Sequence, residues 1–443
     1  MLPASHIADH PIGRLEVSGM SITVGSSEMS RADRLNRACA CVTLDSKALS
    51  EALDVEAGEV GFSARLLEAQ PHSFSKVPVF LSAAELAEME EVVAAVEAVS
   101  QLPAYRALVL SWAPAITRHD FGPAGALMGY DFHLGPDGPR LIEINTNAGG
   151  AFLNATLARA QKACCGDIIV FPSGSSTTFE DSVFQMFEEE WLRQRGSGLP
   201  SSIAIVDDHP ERQFLYPEFV LARRVLAQRG IPTTIADACQ LDYNGSRLRF
   251  EGQEIDLTYN RVTDFALDRS QHAALRRAYQ DGAVVLTPNP HNHALLADKR
   301  NLSALSNSTL LQSWGVEARI IAALRAIPRT VIVTPENAPD LWQARKELFF
   351  KPSGGHGSKG VYRGDKLTKR VWGEISRGGY VAQSLVRPSE RRIMVDGEPQ
   401  LRKVDVRLYT YQGSTLLGAA RVYQGQTTNL QTPGGGFAPL FLA

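Results

Sequence analysis

Residues 129–150, GYDFHLGPDGPRLIEINTNAGG, hold the most informative pattern in the chain. Two alternating segments flank the turn residues GPDG, which predicts a β-hairpin. Because side chains alternate between faces along a strand, Glu143 and Asn145 share one face, and Asp131 on the paired strand can join them. Two carboxylates and an amide oxygen are hard ligands of the kind that Mg²⁺ takes when it bridges phosphate oxygens. The alternative is an ordinary hairpin with a polar outer face.

The segment after the hairpin predicts a turn and then a helix. Residues 147–150 read NAGG, and AFLNATLARAQKA carries helix-forming residues. The first N–H groups of a helix lack partners within the helix and favour an anion. We therefore expect free N–H groups of this helix to face the site.

Length and composition restrict the class of protein. A chain of 443 residues predicts two or three domains. A net charge of −3 and a pI near 6.4 do not favour nucleic acid as a partner. The five cysteines lack zinc-type CxxC pairs and fit a reducing compartment. No apolar run approaches the roughly 18 residues of a membrane span, so we expect a cytoplasmic protein without a membrane partner.

The middle of the chain alternates strands and helices. A helix is predicted over residues 82–102, and Ser, Gly and Pro clusters around residues 171–200 predict a boundary. From residue 202 the segments SIAIVDD, PEFVLARRVLAQRG, IPTTIADA and EIDLTYNRV predict a small parallel sheet covered by helices. Open sheets of this kind bind ligands at the loops after their strands, which here carry Asp207, Asp208, Arg261 and Asp264.

The sequence NPHNH contains two histidines, His291 and His293, that are candidate metal ligands. No third ligand of a suitable kind lies nearby, so a loop with capping side chains is the favoured interpretation.

A glycine-rich segment follows a predicted strand that ends in Lys351. Its spacing satisfies the dinucleotide fingerprint, but no helix opens at Gly360 and no acidic strand end follows about 20 residues later. A Walker loop is excluded because Lys359 precedes a glycine. A flap remains that can lie against phosphates, with Lys351 supplying a positive charge, or else a glycine-tolerant surface loop. The flap residues are Gly354, Gly355, Gly357, Ser358 and Gly360.

Together these residues resemble the ATP-grasp superfamily of carboxylate–amine ligases, which includes glutathione synthetases and ribosomal-protein glutamate ligases. In this resemblance Lys299, in LLADKRNLSALSN, and Lys351 are the two nucleotide lysines. The segment YVAQSLV is similar to the hinge strand against adenine, with Gln383, Ser384 and Leu385. Ser384 stands where the family usually has Glu, and the resemblance implies that the hinge contacts the base through backbone groups.

The resemblance continues in the last part of the chain. Asp405 and Arg407 are similar to a D-x-R strand, and Arg421 and Asn429 to a returning arginine and asparagine. The resemblance implies that Arg407 and Arg421 act on the transferring phosphoryl group or on a carboxylate, and that Asn429 contacts substrate. Cross-strand pairing with acids such as Asp405 is the alternative role of the arginines. Arg261 and Asp264 are weaker substrate candidates.

The metal ligands that this family places after the arginine strands would then be Asp131, Glu143 and Asn145, far upstream. We therefore expect an α/β (α+β) chain with a circularly permuted ATP-grasp fold. Its predicted parts are an N-terminal mostly helical region (1–120), the metal-binding hairpin with a linker (121–200), a small parallel-sheet substrate domain (201–298) and the nucleotide lobe with the central sheet (299–443). This interpretation requires the two blocks to meet at one cleft.

The resemblance implies an ATP- and Mg²⁺-dependent ligase that joins a carboxylate to an amine through an acyl phosphate and forms ADP. Its substrates would be small molecules such as amino acids, peptides or polyamines. Two alternatives remain: a non-catalytic sensor or scaffold that binds ATP, and a phosphotransferase with the same lobe. A dehydrogenase would rest on the glycine spacing alone.

Overall fold

The computed structural model describes residues 29–162, 168–171, 178–354 and 360–443. Within these ranges the chain forms fifteen α-helices: α1 Arg31–Ala38, α2 Ser46–Ala57, α3 Phe62–Ala69, α4 Ala83–Ser100, α5 Pro103–Ser111, α6 Ala151–Arg159, α7 Phe179–Arg195, α8 Tyr216–Gln228, α9 Ala273–Gln280, α10 Pro290–Asn292, α11 Asn301–Leu305, α12 Ser308–Ser313, α13 Ala318–Leu324, α14 Ala338–Ala344 and α15 Lys369–Ile375.

The strands of the same ranges are β1 Val79–Leu81, β2 Met128–Gly135, β3 Gly138–Asn145, β4 Ile169–Phe171, β5 Ile203–Asp207, β6 Thr233–Asp237, β7 Asp242–Tyr243, β8 Leu248–Phe250, β9 Gln253–Ile255, β10 Leu257–Asn260, β11 Val285–Thr287, β12 Thr330–Ile332, β13 Leu348–Pro352, β14 Tyr362–Arg363, β15 Tyr380–Ser384, β16 Ser389–Val395, β17 Glu398–Tyr411, β18 Ser414–Tyr423 and β19 Gly436–Leu442.

An eight-stranded central sheet joins distant parts of the chain. Its order is β1-β19-β18-β17-β2-β3, with β16 paired to β17 and β4 paired to β19. The hairpin β2–β3 thus lies directly beside β17, and β1 pairs in parallel with β19. The region before residue 120 therefore contributes a strand to this sheet as well as helices.

Alternation along β17 explains why this sheet can carry a polar site over a packed core. Val404, Val406 and Leu408 are buried on one face, in the same apolar cluster as the buried residues of α4. Asp405 and Arg407 alternate onto the opposite face. Helix α4 begins with a capping box formed by Ser82 and Glu85, and this confirms the helix predicted over residues 82–102.

Three smaller sheets surround the central one. Strands β11-β10-β5-β6 form the predicted parallel sheet, and every pair in it is parallel. Strands β12-β15-β13-β14 form an antiparallel sheet that carries Lys351, Gln383 and Ser384 of the predicted nucleotide residues. The segment predicted as one strand, EIDLTYNRV, is divided instead between β9 in a three-stranded meander, β7-β8-β9, and β10 in the parallel sheet.

The described helices bear on the predicted absence of a membrane span. No single one of them is long and apolar enough to cross a membrane. Helices α4 and α5 pass the length and composition test only together, and they are bent by 80° at their junction.

Candidate active site

The register of the central sheet brings the predicted metal ligands beside the predicted arginines. Asp131 on β2 is the cross-strand partner of Glu143 on β3 and of Arg407 on β17. Asp405, two residues before Arg407, is paired with Arg421 on β18. The two blocks therefore meet, as the sequence interpretation requires.

One part of this site, which we name the arginine end, consists of Asp131, Asp405, Arg407 and Arg421. Arg407 donates to both oxygens of Asp131, through Nε at 2.5 Å and Nη2 at 2.7 Å. Arg421 bridges the two acids, with Nε 2.6 Å from Asp405 Oδ1 and Nη2 2.9 Å from Asp131 Oδ2. The hydroxyl of Thr428 also donates to Asp405.

Burial makes the arginine end strongly charge-coupled. Asp131 and Asp405 are 2% and 0% exposed. Burial alone would raise the pKa of Asp131, but Arg407 and Arg421 outweigh it and lower that pKa below its usual range. The two acids conversely raise the pKa of Arg421 against the effect of burial. Asp131, Arg407 and Arg421 are therefore charged at neutral pH.

A glycine lets the arginine pack closely. A Cβ atom on Gly129 would lie 2.6 Å from Cβ of Ala148 and 3.2 Å from Nε of Arg407. Only a residue without a side chain fits between the turn after β3 and the guanidinium group. Tyr409, the next residue on this face of β17, donates to the Gly149 carbonyl at 2.7 Å and fixes the same turn.

The other part, the lysine end, consists of Glu143, Lys299, Lys351 and Gln383. Nζ of Lys299 lies 3.0 Å from Oε1 of Glu143. Nζ of Lys351 donates to the carbonyl of Ile142 at 2.9 Å and to Oε1 of Gln383 at 2.8 Å. Lys351 thus connects the β12–β15 sheet to β3 of the central sheet.

Burial and neighbouring charges shift the pKa values of Lys351 and Glu143 at the lysine end. Burial lowers the pKa of Lys351 to about 8, although Glu143 acts in the opposite direction. Burial raises the pKa of Glu143, but Lys299 and Lys351 outweigh it and the net direction is downward. Glu143 is therefore a carboxylate at neutral pH.

The three predicted metal ligands offer the donors that Mg²⁺ prefers, carboxylate and amide oxygens. Asn145 lies against Asp131, with Nδ2 3.0 Å from Oδ2, and the Glu143 side chain is 31% exposed. Within the described ranges no three His, Cys, Asp or Glu side chains form a metal-binding group. Two carboxylates and the amide of Asn145 therefore fit Mg²⁺ in their chemistry. Both oxygens of Asp131 already accept hydrogen bonds from arginines, so an ion there would share these oxygens with the guanidinium groups.

Gln383 departs from the predicted adenine contact. Its side chain is 2% exposed and bridges Lys351 to Thr330, since Nε2 donates to the Thr330 hydroxyl at 3.3 Å. The amides of Ser384 and Leu385 donate to Arg329 and Glu347 within their own sheet, each at 2.8 Å. Backbone recognition of a base would therefore rest on carbonyl groups here or on the amide of Val386.

The flap is described only at its ends. Gly354 follows β13, and Gly360 has a positive φ of 72°. Gly355, Gly357 and Ser358 lie outside the described residues.

Asn429 shapes a neighbouring loop and does not line the cleft. Its Nδ2 donates to the Gln424 carbonyl at 2.6 Å, and its Oδ1 accepts from the Thr432 hydroxyl at 2.9 Å. Residues 424–428 of this loop do line the cleft. Asn429 therefore supports the wall of the cleft in this structure.

The two weaker substrate candidates are also held by the protein itself. Arg261 is 4% exposed and donates to the Ala148 carbonyl at 3.1 Å, in the turn after β3. Asp264 accepts from the buried ring of His272 at 2.8 Å. The carboxyl edge of the parallel sheet thus supports the turn after β3, because Asn147 also donates to the Arg261 carbonyl at 2.8 Å.

The expectation of free N–H groups at the start of α6 does not hold for its first two amides. The amides of Gly150 and Ala151 both donate to the carboxylate of Glu218, which is 1% exposed. A buried acid from α8 therefore already satisfies these two amides. The histidines of NPHNH agree with the capping interpretation, since Asn289 caps α10 and His291 contacts the Thr117 carbonyl at 2.7 Å.

No family model matches the chain, and no curated protein matches its sequence. The structure is similar to that of a glutathione synthetase-like effector from Globodera pallida in its apo form, with 11% identity and a TM-score of 0.54. This similarity covers 91% of this chain and 98% of that one.

The chain has an ATP-grasp fold.

Two further structures match this chain with lower TM-scores. A putative γ-glutamylcysteine synthetase from Methylobacillus flagellatus matches with 11% identity and a TM-score of 0.47, over 82% of this chain and 89% of that one. An ATP-grasp ligase complexed with a minimal precursor, Mg and ADP matches with 14% identity and a TM-score of 0.25, over 55% and 89%.

The ATP-grasp cleft has a volume of about 1620 Å³ and is lined by residues of both blocks. Among them are Glu143, Lys299, Lys351 and the hinge residues 383–385. Sequence reasoning missed His133, which also lines this cleft and whose pKa is lowered by burial. The alternation that selected Asp131 on β2 selects His133 as well, so a signal for it was present.

Proposed function

We propose that this protein is an ATP-dependent carboxylate–amine ligase that forms ADP through an acyl phosphate. One observation carries the proposal: Glu143 from the first block lies 3.0 Å from Lys299 of the second, in one cleft of the ATP-grasp fold. This contact is the one that the two-block interpretation needs. A hairpin with a merely polar surface would have no reason to face two lysines that line the cleft.

The lysine end is the proposed site for the phosphates of ATP. Four cations, Lys299, Lys351, Arg407 and Arg421, face three carboxylates in the two ends together. The excess of positive charge suits a polyanion, and phosphoryl transfer depends mainly on positioning and charge neutralisation. Lys351 already bridges the two sheets, so a phosphate at its ammonium would be held between them.

Asp131, Glu143 and Asn145 would hold Mg²⁺, which when bound neutralises charge on the β- and γ-phosphates. Of the two acids, Glu143 is the more accessible, because its side chain is 31% exposed and that of Asp131 is 2% exposed. Asp131 would keep its contact with Arg407 or Arg421 and offer the remaining lone pairs.

The arginine end is the proposed site for the substrate carboxylate. Two nitrogens of Arg421 bond Asp131 and Asp405, and its Nη1 makes no hydrogen bond to any described residue. Nη1 of Arg407 has only a 3.4 Å contact with the Gly149 carbonyl. Both arginines can therefore donate to a carboxylate or phosphoryl oxygen without releasing their acids.

The proposed reaction has two steps. A carboxylate oxygen of the substrate bonds to the γ-phosphorus as the bond to the β,γ-bridging oxygen breaks, and ADP leaves with that electron pair. The amine then bonds to the acyl carbon, phosphate leaves with the electron pair of the acyl–oxygen bond, and the amine loses a proton. The carboxylate and amine belong to small molecules such as amino acids, peptides or polyamines.

The test is an assay of ADP release with Mg²⁺, ATP and a panel of carboxylic acids, with hydroxylamine added to trap an acyl phosphate as a hydroxamate. We expect hydroxamate with at least one acid, and loss of ADP release in the double variant Glu143→Ala/Asn145→Ala with an unchanged melting temperature. Normal turnover by that variant would contradict the metal assignment. ATP binding without ADP across the panel would favour a sensor, and a stable phosphorylated product would favour a phosphotransferase.

We also infer that the ATP-grasp chain is circularly permuted, supported by the position of β2–β3 beside β17. The boundaries at residues 120, 200 and 298 remain predictions. A gene in which residues 121–200 follow residue 443 through a flexible linker should still yield an ATP-binding protein. An insoluble or non-binding product from several linker lengths would count against the permutation.

A further inference from the structure

The turn after β3, residues 147–150, is held from two sides. From the parallel sheet, Arg261 donates to the Ala148 carbonyl at 3.1 Å. From the central sheet, the hydroxyl of Tyr409 donates to the Gly149 carbonyl at 2.7 Å. This turn therefore connects the carboxyl edge of the parallel sheet to the strand that carries the arginine end.

Glu218 of α8 holds the last part of this turn. The amides of Gly150 and Ala151 donate to its two carboxylate oxygens, and Glu218 is 1% exposed. Gly150 is packed closely, because a Cβ atom on it would lie 2.4 Å from Cζ of Phe437 and 3.0 Å from the hydroxyl of Tyr409. A displacement of Gly150 would therefore be transmitted to Tyr409.

The same turn also contacts Arg407. Nη1 of Arg407 lies 3.4 Å from the Gly149 carbonyl, whereas its Nε and Nη2 are bonded to Asp131. Nη1 is the nitrogen that is available to a substrate carboxylate, so a shift of the Gly149 carbonyl would change its direction. Burial raises the pKa of Glu218, and Arg261 and Arg407 act in the opposite direction. Glu218 thus influences Arg407 both through the turn and through its charge.

A second buried acid makes the same kind of contact elsewhere in the molecule. Glu190 of α7 is 0% exposed and accepts from the consecutive amides of Ala124 and Gly125 at 2.7 and 2.9 Å. It also accepts from the hydroxyls of Tyr411 and Thr287. The two amides precede β2 and lie outside the turn after β3. Glu190 therefore separates the effect of losing a buried acid from the effect of its location.

We propose that Glu218 is a positioning residue for the ligase reaction: it holds the turn after β3 against Tyr409 and thereby orients Nη1 of Arg407 toward the substrate carboxylate. This inference rests on the proposed role of the arginine end. The alternative is that Glu218 only caps α6, in which case its loss would lower stability alone. At metal sites, loss of a group that orients a ligand-binding side chain commonly costs about 10- to 100-fold in affinity or activity.

The first measurement needs no turnover. NMR spectra of the full chain with isotope-labelled arginine contain the Nε–H signal of Arg407, which is assigned from its absence in Arg407→Lys. Glu218→Gln keeps the shape of the side chain but loses its charge and one acceptor oxygen, and should move this signal by more than a linewidth. Glu218→Asp keeps the charge but withdraws the oxygens from the amides, so a shift in this variant reports geometry. It also replaces Glu218→Gln if that variant does not fold. Glu190→Gln should leave the signal in place.

The second measurement is hydroxamate formation with the carboxylic acid of the panel that gives the most product. In Glu218→Gln we expect kcat/KM for that acid to fall about 10- to 100-fold, with an unchanged Kd for ATP and Mg²⁺. Glu190→Gln should keep the parent kcat/KM.

Three results would overturn the inference and leave the ligase proposal untouched: an unmoved Arg407 signal in both Glu218 variants, an equal shift in Glu190→Gln, or a moved signal with the parent kcat/KM. If the unaltered protein forms no hydroxamate with any acid, the ligase proposal fails. The Arg407 signal then decides by itself whether Glu218 positions the arginine end.

Discussion

The two ends of the candidate site hold similar numbers of charges in different ways, and of the two only the lysine end lines the cleft. At the arginine end the side chains of Arg407 and Asp131 are 8% and 2% exposed, and two guanidinium groups occupy both oxygens of Asp131. At the lysine end the side chains of Lys299 and Glu143 are 9% and 31% exposed, and each lysine is a point charge that can turn to a new partner. The arginine end is therefore built for fixed geometry, whereas the lysine end is built for exchange with a ligand.

The largest effect is expected on stability, from a substitution that removes the ion pair between Arg407 and Asp131 at the arginine end. Arg407→Leu would leave Asp131 with one guanidinium partner in a buried site, and losing one partner of a buried pair costs about 3 to 5 kcal/mol. We expect a fall of this size in the free energy of unfolding, measured by urea denaturation.

Two variants serve as controls for that measurement. Arg319→Leu removes an exposed pair, with side chains 81% and 63% exposed, and should leave stability nearly unchanged. Asp131→Asn/Arg407→Leu should recover part of the loss, because no unpaired charge remains. An Arg407→Leu protein as stable as the parent would mean that the pair contributes nothing to folding.

The second prediction concerns ATP affinity after removal of the Lys351 ammonium from the lysine end. Lys351→Met should fold normally but bind ATP more weakly, because a charge-assisted hydrogen bond to phosphate contributes about 1.5 to 3 kcal/mol, or roughly 10- to 150-fold in Kd. Titration calorimetry with Mg²⁺ and ATP measures the change. Lys346→Met, in the same lobe but outside the cleft lining, is the control. An unchanged Kd for Lys351→Met would remove this lysine from the nucleotide site.

The third prediction concerns the pH dependence of ATP binding at the lysine end. The pKa of Lys351 is about 8 in the free protein, against 10.5 normally, so its ammonium is lost as pH rises from about 7 to 9. A bound phosphate favours the ammonium and raises this pKa, so binding above pH 8 must take up a proton. ATP affinity should therefore fall across this window by at most about tenfold per pH unit.

Calorimetry in two buffers of different ionisation enthalpy measures the proton uptake directly. Lys351→Met should show neither the uptake nor the decline in affinity. The same pH profile in this variant would assign the titration to another group.

The smallest expected effect concerns Gln383, which orients Lys351 and does not itself contact phosphate in our proposal. Gln383→Leu removes the hydrogen bond at 2.8 Å to Lys351 and the bond at 3.3 Å to Thr330. We expect a loss of about 0.5 to 1.5 kcal/mol in ATP binding and a shift of the Lys351 pH profile. Gln383→Glu should restore orientation and move that profile to higher pH, since a carboxylate favours the ammonium. A Gln383→Leu protein with the parent pH profile would contradict the orienting role.

Helix bounds and hairpin turns can be predicted from the sequence because the residues that determine them lie within or next to the element. Helix α7, Phe179–Arg195, has bounds that its own sequence explains, since a Thr178 capping box begins it and Gly196 ends it. The meander β7–β9 was missed although Asn244-Gly245 is a strong hairpin signal. The prediction that the hairpin at Asp131 meets the strand at Arg407 came from the family resemblance and not from periodicity.

What the sequence could not predict is how each charge would be satisfied. Glu218 is distant in sequence from the helix N-terminus that it caps, and nothing in its local sequence marks it as a cap. Likewise Gln383 occupies a hinge position, yet its side chain serves a lysine on the next strand. Such partners depend on tertiary packing, which short-range spacing does not encode.

The adjacency of β2 and β17 also has a consequence for biosynthesis. Asp131 leaves the ribosome long before Arg407 and Arg421 are made, so for most of translation its strand lacks both the neighbour and the counter-charges that it has in the finished molecule. Contacts between such distant segments form slowly and leave strand edges open meanwhile. The nascent hairpin therefore exposes an unpaired strand edge and an unpaired buried acid until β17 has been made.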